Sequence, residues 1–155
     1  MQNARMRNIL AIDPGKSGGI AACIDGAWGF HKMPGTIQDV RIILQSTAMS
    51  RSDVVAYIEE LPKFVRAIPS SAVFVMARNY GQMEGILAMC NIPVVHVRPQ
   101  VWQKAVGAGD SKGMTRTAWK NKLKGKAQDY FPDAGLTLDT CDAALIAYAA
   151  VNRLI

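Results

Sequence analysis

Apolar residues follow two rhythms along this chain. Compact apolar runs bounded by Gly, Pro or Asp mark strands: Asn8 to Asp13 (NILAID), Ile20 to Ile24, Ala27 to His31, Val54 to Glu59 (VVAYIE) and the short Val94 to Val97. Asp25-Gly26 separates the second and third runs and is a strong hairpin signal, since both residues tolerate the positive φ of a tight turn. Longer stretches read as helices. Thr36 to about Met49 opens with Asp39 at the third position of an imperfect capping box. Ser70 to Cys90 enters after Pro69, carries Gly81 and Gly85 inside it, and stops at Asn91-Ile92-Pro93. Met114 to Phe131 is weakened by Gly125 and ended by Pro132, and Asp139 to Arg153 (DTCDAALIAYAAVNR) closes the chain. Three antiparallel strands, then helices alternating with further strands, predict an α/β chain: one mixed sheet covered by helices.

Bulk properties narrow the classes. At 155 residues with half of them hydrophobic, residues 1–155 read as one domain with a real core, and whole-chain disorder is excluded. No apolar run approaches the roughly 18 residues of a membrane span. Asp13 interrupts the first apolar run before it can serve as a signal-peptide core, which points to the cytoplasm of a bacterium or of a phage-infected host. Cys23, Cys90 and Cys141 are odd in number and lack CxxC spacing, so free buried thiols are expected.

The net charge of +6 is unevenly placed. Between Arg98 and Gln128 stand eight cations (Arg98, Lys104, Lys112, Arg116, Lys120, Lys122, Lys124, Lys126) and one anion, Asp110, which leaves the remainder of the chain at −1. Such a basic segment suits phosphate neutralisation. Lys120 to Lys126 alternate at a spacing of two, which spreads them around a helix, so not all four can face one DNA molecule. Trp102 and Trp119 flank the segment; each is placed either to stack on an unpaired base or to sit in the core.

The candidate chemistry is carboxylate. Asp13 closes the first strand, Glu59 closes the fourth, and Asp139 and Asp142 sit three apart at the start of the last helix. Carboxyl ends of adjacent parallel strands face the crevice where α/β proteins bind ligands. A pair spaced by three shares a helix face, and the first turn favours anions, so a capping role also fits Asp139. Four carboxylates crowded together need a cation, and hard oxygen donors favour Mg²⁺ or Mn²⁺. Two such ions about 3.5–4 Å apart clamp the attacking and leaving oxygens of a phosphodiester cleavage.

ILAIDPGKSGGIA (Ile9 to Ala21), YIEE (Tyr57 to Glu60), GQMEG (Gly81 to Gly85), QVWQKAVGAG (Gln100 to Gly109) and DTCDAALIAYA (Asp139 to Ala149) together resemble the RuvC Holliday-junction resolvases of the ribonuclease H-like superfamily. The segments keep the family's order and spacing across nearly the whole chain. The resemblance implies a ribonuclease H-like mixed five-stranded sheet with helices on both faces, and a homodimer whose interface uses the helix containing GQMEG. Two active sites would face the two continuous strands of a four-way DNA junction and make paired symmetric nicks. Carried over residue by residue, Asp13 would hold both metal ions and Glu59 one, with Asp142 and Asp139 completing the cage. Two Mg²⁺ per site, for which Mn²⁺ substitutes, would support hydrolysis that leaves a 5′-phosphate. Neither a membrane nor a nucleotide cofactor is implied. Glu59 is chosen over Glu60 because it follows an Ile as Asp13 does and Glu60 alternates to the other side of the strand.

Departures from the family fall in the basic segment. Trp102 stands where the family tends to have a Lys, with Lys104 two residues later, and Lys112 aligns with a second basic active-site residue after a one-residue gap. Lys112 is therefore placed among the catalytic residues, and Lys16, Arg98, Lys104, Lys112, Arg116 and Lys120 are expected on the DNA. Phe64 is the nearest candidate for the aromatic wedge; His31 and His96 are read as structural. Three other readings compete: a broader flap and fork endonuclease on the same site, a sugar-kinase or actin-like domain cradling phosphate at IDPGKSGG, and a non-catalytic junction binder.

Overall fold

A computed structural model describes residues 7–48, 53–62 and 68–155; Phe64 and the expected end of the first helix at Met49 lie outside these. Ten elements follow one another: β1 (Asn8–Asp13), β2 (Gly19–Ile24), β3 (Ala27–Lys32), α1 (Ile37–Ala48), β4 (Val54–Glu59), α2 (Ser70–Met89), β5 (Val94–Val97), α3 (Pro99–Ala105), α4 (Arg116–Tyr130) and α5 (Cys141–Val151). The strands form one sheet in the order β3-β2-β1-β4-β5. β1 pairs antiparallel with β2 and β2 with β3, while β4 runs parallel to β1 and β5 parallel to β4. The expected mixed sheet is present, with its five strands within a residue of their sequence bounds.

Alternation along the strands divides the core in two. Leu10, Ile12, Val54, Ala56 and Ile58 point to the face covered by α1 and α2, where they meet Val40, Leu44, Met83 and Leu87. Ile9, Ala11, Val55 and Tyr57 point to the other face, against α3, α4 and α5. Because side chains alternate with period two, Asp13 and Glu59 continue the second set and emerge on the α5 face. The parallel register pairs Ile12 with Ile58, so Asp13 and Glu59 are the next residues on neighbouring strands.

Polar anchors hold the open end of the sheet. Asn8 is buried, donates to Asp53 (3.1 Å) and accepts the Asp25 backbone N–H (2.8 Å), which satisfies an amide that burial would otherwise penalise. Thr36 caps the start of α1: its Oγ1 accepts the Asp39 backbone N–H (3.2 Å) and its hydroxyl donates to Asp39 Oδ2 (2.6 Å), which is half of the capping box. Cys23 and Cys141 are buried thiols, Cys90 is half-buried, and all three are free. No helix among the described residues is long and apolar enough to cross a membrane.

Two differences from the sequence expectation matter for the site. A short helix, α3, follows β5 directly: Arg98 stays extended, Pro99 takes the first helical position with its φ already set, and Trp102 and Val106 bury one side. The last helix starts at Cys141 rather than Asp139. Thr137 and Thr140 close a turn ahead of it, the Thr137 backbone N–H donating to Thr140 Oγ1 (2.9 Å), so Asp139 lies in that turn and Asp142 in the first turn of α5.

Candidate active site

Asp13, Glu59 and Asp142 meet on the α5 side of the sheet, brought there by β1, β4 and the start of α5. α5 packs across β1, β2 and β4 and is flanked by α3 and α4. Nearly every α5 residue from Cys141 to Ala150 is buried, Asp142 included. Asp13 is 9% exposed and Asp142 4%, so both carboxylates sit at the floor of the site and not on an outer surface.

The cluster is electrostatically strained. Burial first, and then the neighbouring Glu59 and Asp142 carboxylates, push Asp13 well above the ordinary carboxylate range; Lys120 pulls the other way. Burial likewise raises Glu59 to about 7, against a hydrogen bond from Trp102 that favours its charged form. Asp142 answers its charge locally. Lys120 reaches in from α4 to form an ion pair with its Oδ2, and Cys141 Sγ donates to its Oδ1 at 3.2 Å. Burial alone would lower Lys120, yet Asp142 and Asp13 outweigh it and hold the ammonium firmly charged. Burial, then Asp142, raise the Cys141 thiol, which keeps it a donor.

Asp139 stands apart. Its side chain is 36% exposed and pairs with Lys32 at the end of β3 (3.2 Å). Among the described residues no three Asp, Glu, His or Cys side chains are arranged to share one metal ion. Asp142 is turned onto Lys120 and Glu59 onto Trp102, so the cation at the cluster is the Lys120 ammonium. The donor set is still hard oxygen, buried and mutually repelling, which suits Mg²⁺ or Mn²⁺ better than any softer ion.

Of the expected basic residues, Lys120 meets the carboxylates. Lys16, Arg98, Lys104, Lys112 and Arg116 are exposed. The Lys112 backbone N–H donates to Asp110 Oδ1 (2.9 Å) in the loop between α3 and α4. Lys122 lies over Trp119 and Lys126 over Tyr130, each 5.3 Å from the ring centroid, so the alternating lysines do point in different directions. Trp102 is fully buried and does not present a face for base stacking. His31 is exposed on β3, and His96 pairs with Glu84 (2.7 Å) away from the cluster.

Gly18 and Gly19 contribute in a way the sequence reading missed. A Cβ on Gly18 would lie 2.0 Å from the Asp13 carbonyl oxygen, and one on Gly19 would lie 2.6 Å from that of Asp139. The PGKSGG turn folds directly over both acidic segments, and only hydrogen fits between.

If Lys120 is the counter-charge of this cluster, Lys120→Met lowers thermal stability more at pH 8 than at pH 5, where Glu59, raised to about 7, holds its proton. A loss of about 2 kcal/mol at pH 8 is expected, below the full cost of orphaning a buried charge because the Lys120 side chain is 29% exposed. An equal loss at both pH values would make the residue's packing, not its charge, the cause.

No protein-family model and no curated protein matches the sequence. Among solved structures the chain is similar to a RuvC from Thermus thermophilus in complex with a Holliday junction substrate, at 12% identity and a TM-score of 0.58. It is similar to a further Thermus thermophilus RuvC structure at 14% identity and a TM-score of 0.57. Each likeness covers 90% of both chains. Together they establish the ribonuclease H-like fold over most of the chain.

Proposed function

We propose that this chain is a metal-dependent endodeoxyribonuclease that resolves four-way DNA junctions by paired symmetric nicks leaving 5′-phosphates. The observation that carries the reading is the convergence of Asp13, Glu59 and Asp142 from three elements into one buried, mutually repelling cluster. A stability-only role does not account for it, since three crowded carboxylates facing the single Lys120 ammonium oppose folding.

Asp13, Glu59 and Asp142 would hold the divalent ions, with Asp139 at the rim. When bound, two Mg²⁺ (or Mn²⁺) supply Lewis-acid charge at the attacking and leaving oxygens. The chain's own residues do the remainder. The β1 and β4 ends fix two carboxylates on neighbouring strands. Lys120 carries its ammonium at the cluster, where a bound phosphate takes a charge-assisted hydrogen bond. Lys16, Arg98, Lys104, Lys112 and Arg116 are the exposed cations that hold the flanking DNA backbone, with Lys112 reaching toward the scissile phosphate.

The same reading makes the protein a homodimer through α2. Only Met83 and Leu87 of this 20-residue helix are buried. Phe74, Ala77, Gly81, Gly85 and Ala88 recur at helical spacing and are all exposed, with open space where Gly81 and Gly85 lack side chains. Small residues on one stripe let a second α2 approach closely. Two sites in one dimer give the paired nicks that a four-way junction requires.

The test is cleavage of a synthetic four-way junction in Mg²⁺, beside a flap and a linear duplex of matched sequence. Paired symmetric nicks on the junction support the reading. Equal cutting of the flap turns it into a general branch endonuclease, and tight junction binding without any cutting removes the catalytic role. Gly81→Arg is expected to sediment as a monomer and to lose the pairing of the nicks; a variant still dimeric would move the interface off α2.

A further inference from the structure

Among the described residues Trp102 is the largest fully buried side chain, and its polar atom is aimed at the site. Its indole Nε1–H donates to Glu59 Oε2 at 2.7 Å, across 43 residues of sequence. We infer that Trp102 is a positioning residue for Glu59: it fixes one carboxylate oxygen and leaves the other to face Asp13 and Asp142. The inference rests on the metal-site reading above and adds a residue that sets how tightly the site binds its ion.

Three features make the contact a designed constraint. The indole N–H is a donor only, so it holds a carboxylate and has nothing to offer a protonated acid's O–H. Its ring cannot swing, being enclosed by the core that α3, α4 and α5 build on the sheet. Its backbone is tied to Glu59 itself: β5 pairs Val97 with Glu59, and Arg98 and Pro99 carry the chain straight into α3. The far end of α3 is held as well, since Tyr130 Oη donates to the Val106 carbonyl at 3.0 Å. Glu59 therefore receives its hydrogen bond from a support no more mobile than the sheet. Partners of this kind orient a ligating carboxylate, and losing one typically costs about 10–100-fold in metal affinity.

The experiment is Mn²⁺ binding to the DNA-free protein, followed by the electron paramagnetic resonance signal of free Mn²⁺. Trp102→Phe keeps an aromatic ring in the core and removes the donor; affinity is expected to fall about tenfold or more. Replacing Trp102 by the isostere β-(3-benzothienyl)alanine, which has sulfur in place of the N–H, repeats the loss with the volume unchanged and serves if the Phe variant folds poorly. In a Glu59→Gln background the Trp102 change is expected to have little further effect, because it acts through Glu59. Unchanged affinity in a folded variant, or a full second loss in that background, overturns the inference while the metal site stands. A wild-type protein that binds no Mn²⁺ overturns the metal-site reading, and this inference with it.

Discussion

Asp13→Asn is expected to abolish the proposed junction cleavage while leaving a protein that folds at least as well. If Asp13 holds metal as proposed, removing its carboxylate would forfeit several kcal/mol of transition-state charge stabilisation, and about 4 kcal/mol corresponds to roughly a thousandfold in rate. The stability side has the opposite sign. Glu59 titrates near 7 in the folded chain against 4.5 for an ordinary glutamate, and Asp13 is raised as well. The folded state therefore binds more protons than the unfolded state across that window, and stability falls as pH rises through it. Metal-free protein is expected to be more stable at pH 5 than at pH 8, by on the order of 3 kcal/mol from Glu59. Asp13→Asn is expected to remove one of the crowded charges and shrink the difference, and Mg²⁺ added at pH 8 is expected to recover stability in the wild type if the cluster holds metal as proposed. Denaturant unfolding at the two pH values, with chelator and with Mg²⁺, reads all three. A wild type equally stable at pH 5 and pH 8 in chelator would show that neither burial nor neighbouring charge raises these carboxyls in the folded chain.

Much of this arrangement was legible in the residues because strands have a period of two. NILAID and VVAYIE each end in an acid, and counting back from Asp13 and Glu59 puts both on one face without any structure. What pattern does not carry is choice among equivalents. Lys120, Lys122, Lys124 and Lys126 are alike in sequence, and the packing of α4 against α5 decides that Lys120 enters the cluster. Helix α3 has no periodic signature because seven residues are too few to show a helical period; Pro99 before a Trp102/Val106 pair is its one local signal. Its link to Glu59 spans 43 residues and has no local signature at all. The pattern starts α5 two residues early because Asp139 reads as a cap, whereas the Thr137–Thr140 turn takes up that part of the chain.

Gly18→Ala is expected to be the most damaging single-methyl change in the chain. The added carbon would meet the Asp13 carbonyl oxygen at 2.0 Å, and that oxygen belongs to the backbone of a buried central strand that cannot retreat. The turn must open instead, although the Gly18 N–H is bonded to the Gly15 carbonyl (3.1 Å) and the Gly18 carbonyl accepts from Met33 N–H (2.9 Å). Overpacking of this kind costs about 3 kcal/mol and displaces what it touches. Here that is Asp13, whose carboxyl carbon stands 3.3 Å from the same methyl position, so cleavage should fall with stability. Gly19→Ala presses on the Asp139 carbonyl and is expected to do similar harm from the α5 side. Gly35→Ala supplies the control, because its added carbon meets nothing within 4 Å; it should shift stability by less than about 0.5 kcal/mol. If Gly18→Ala melts with the wild type and cuts at the wild-type rate, the turn is looser over Asp13 than these contacts require. The carboxylate's position would then depend on β1 and its neighbours alone.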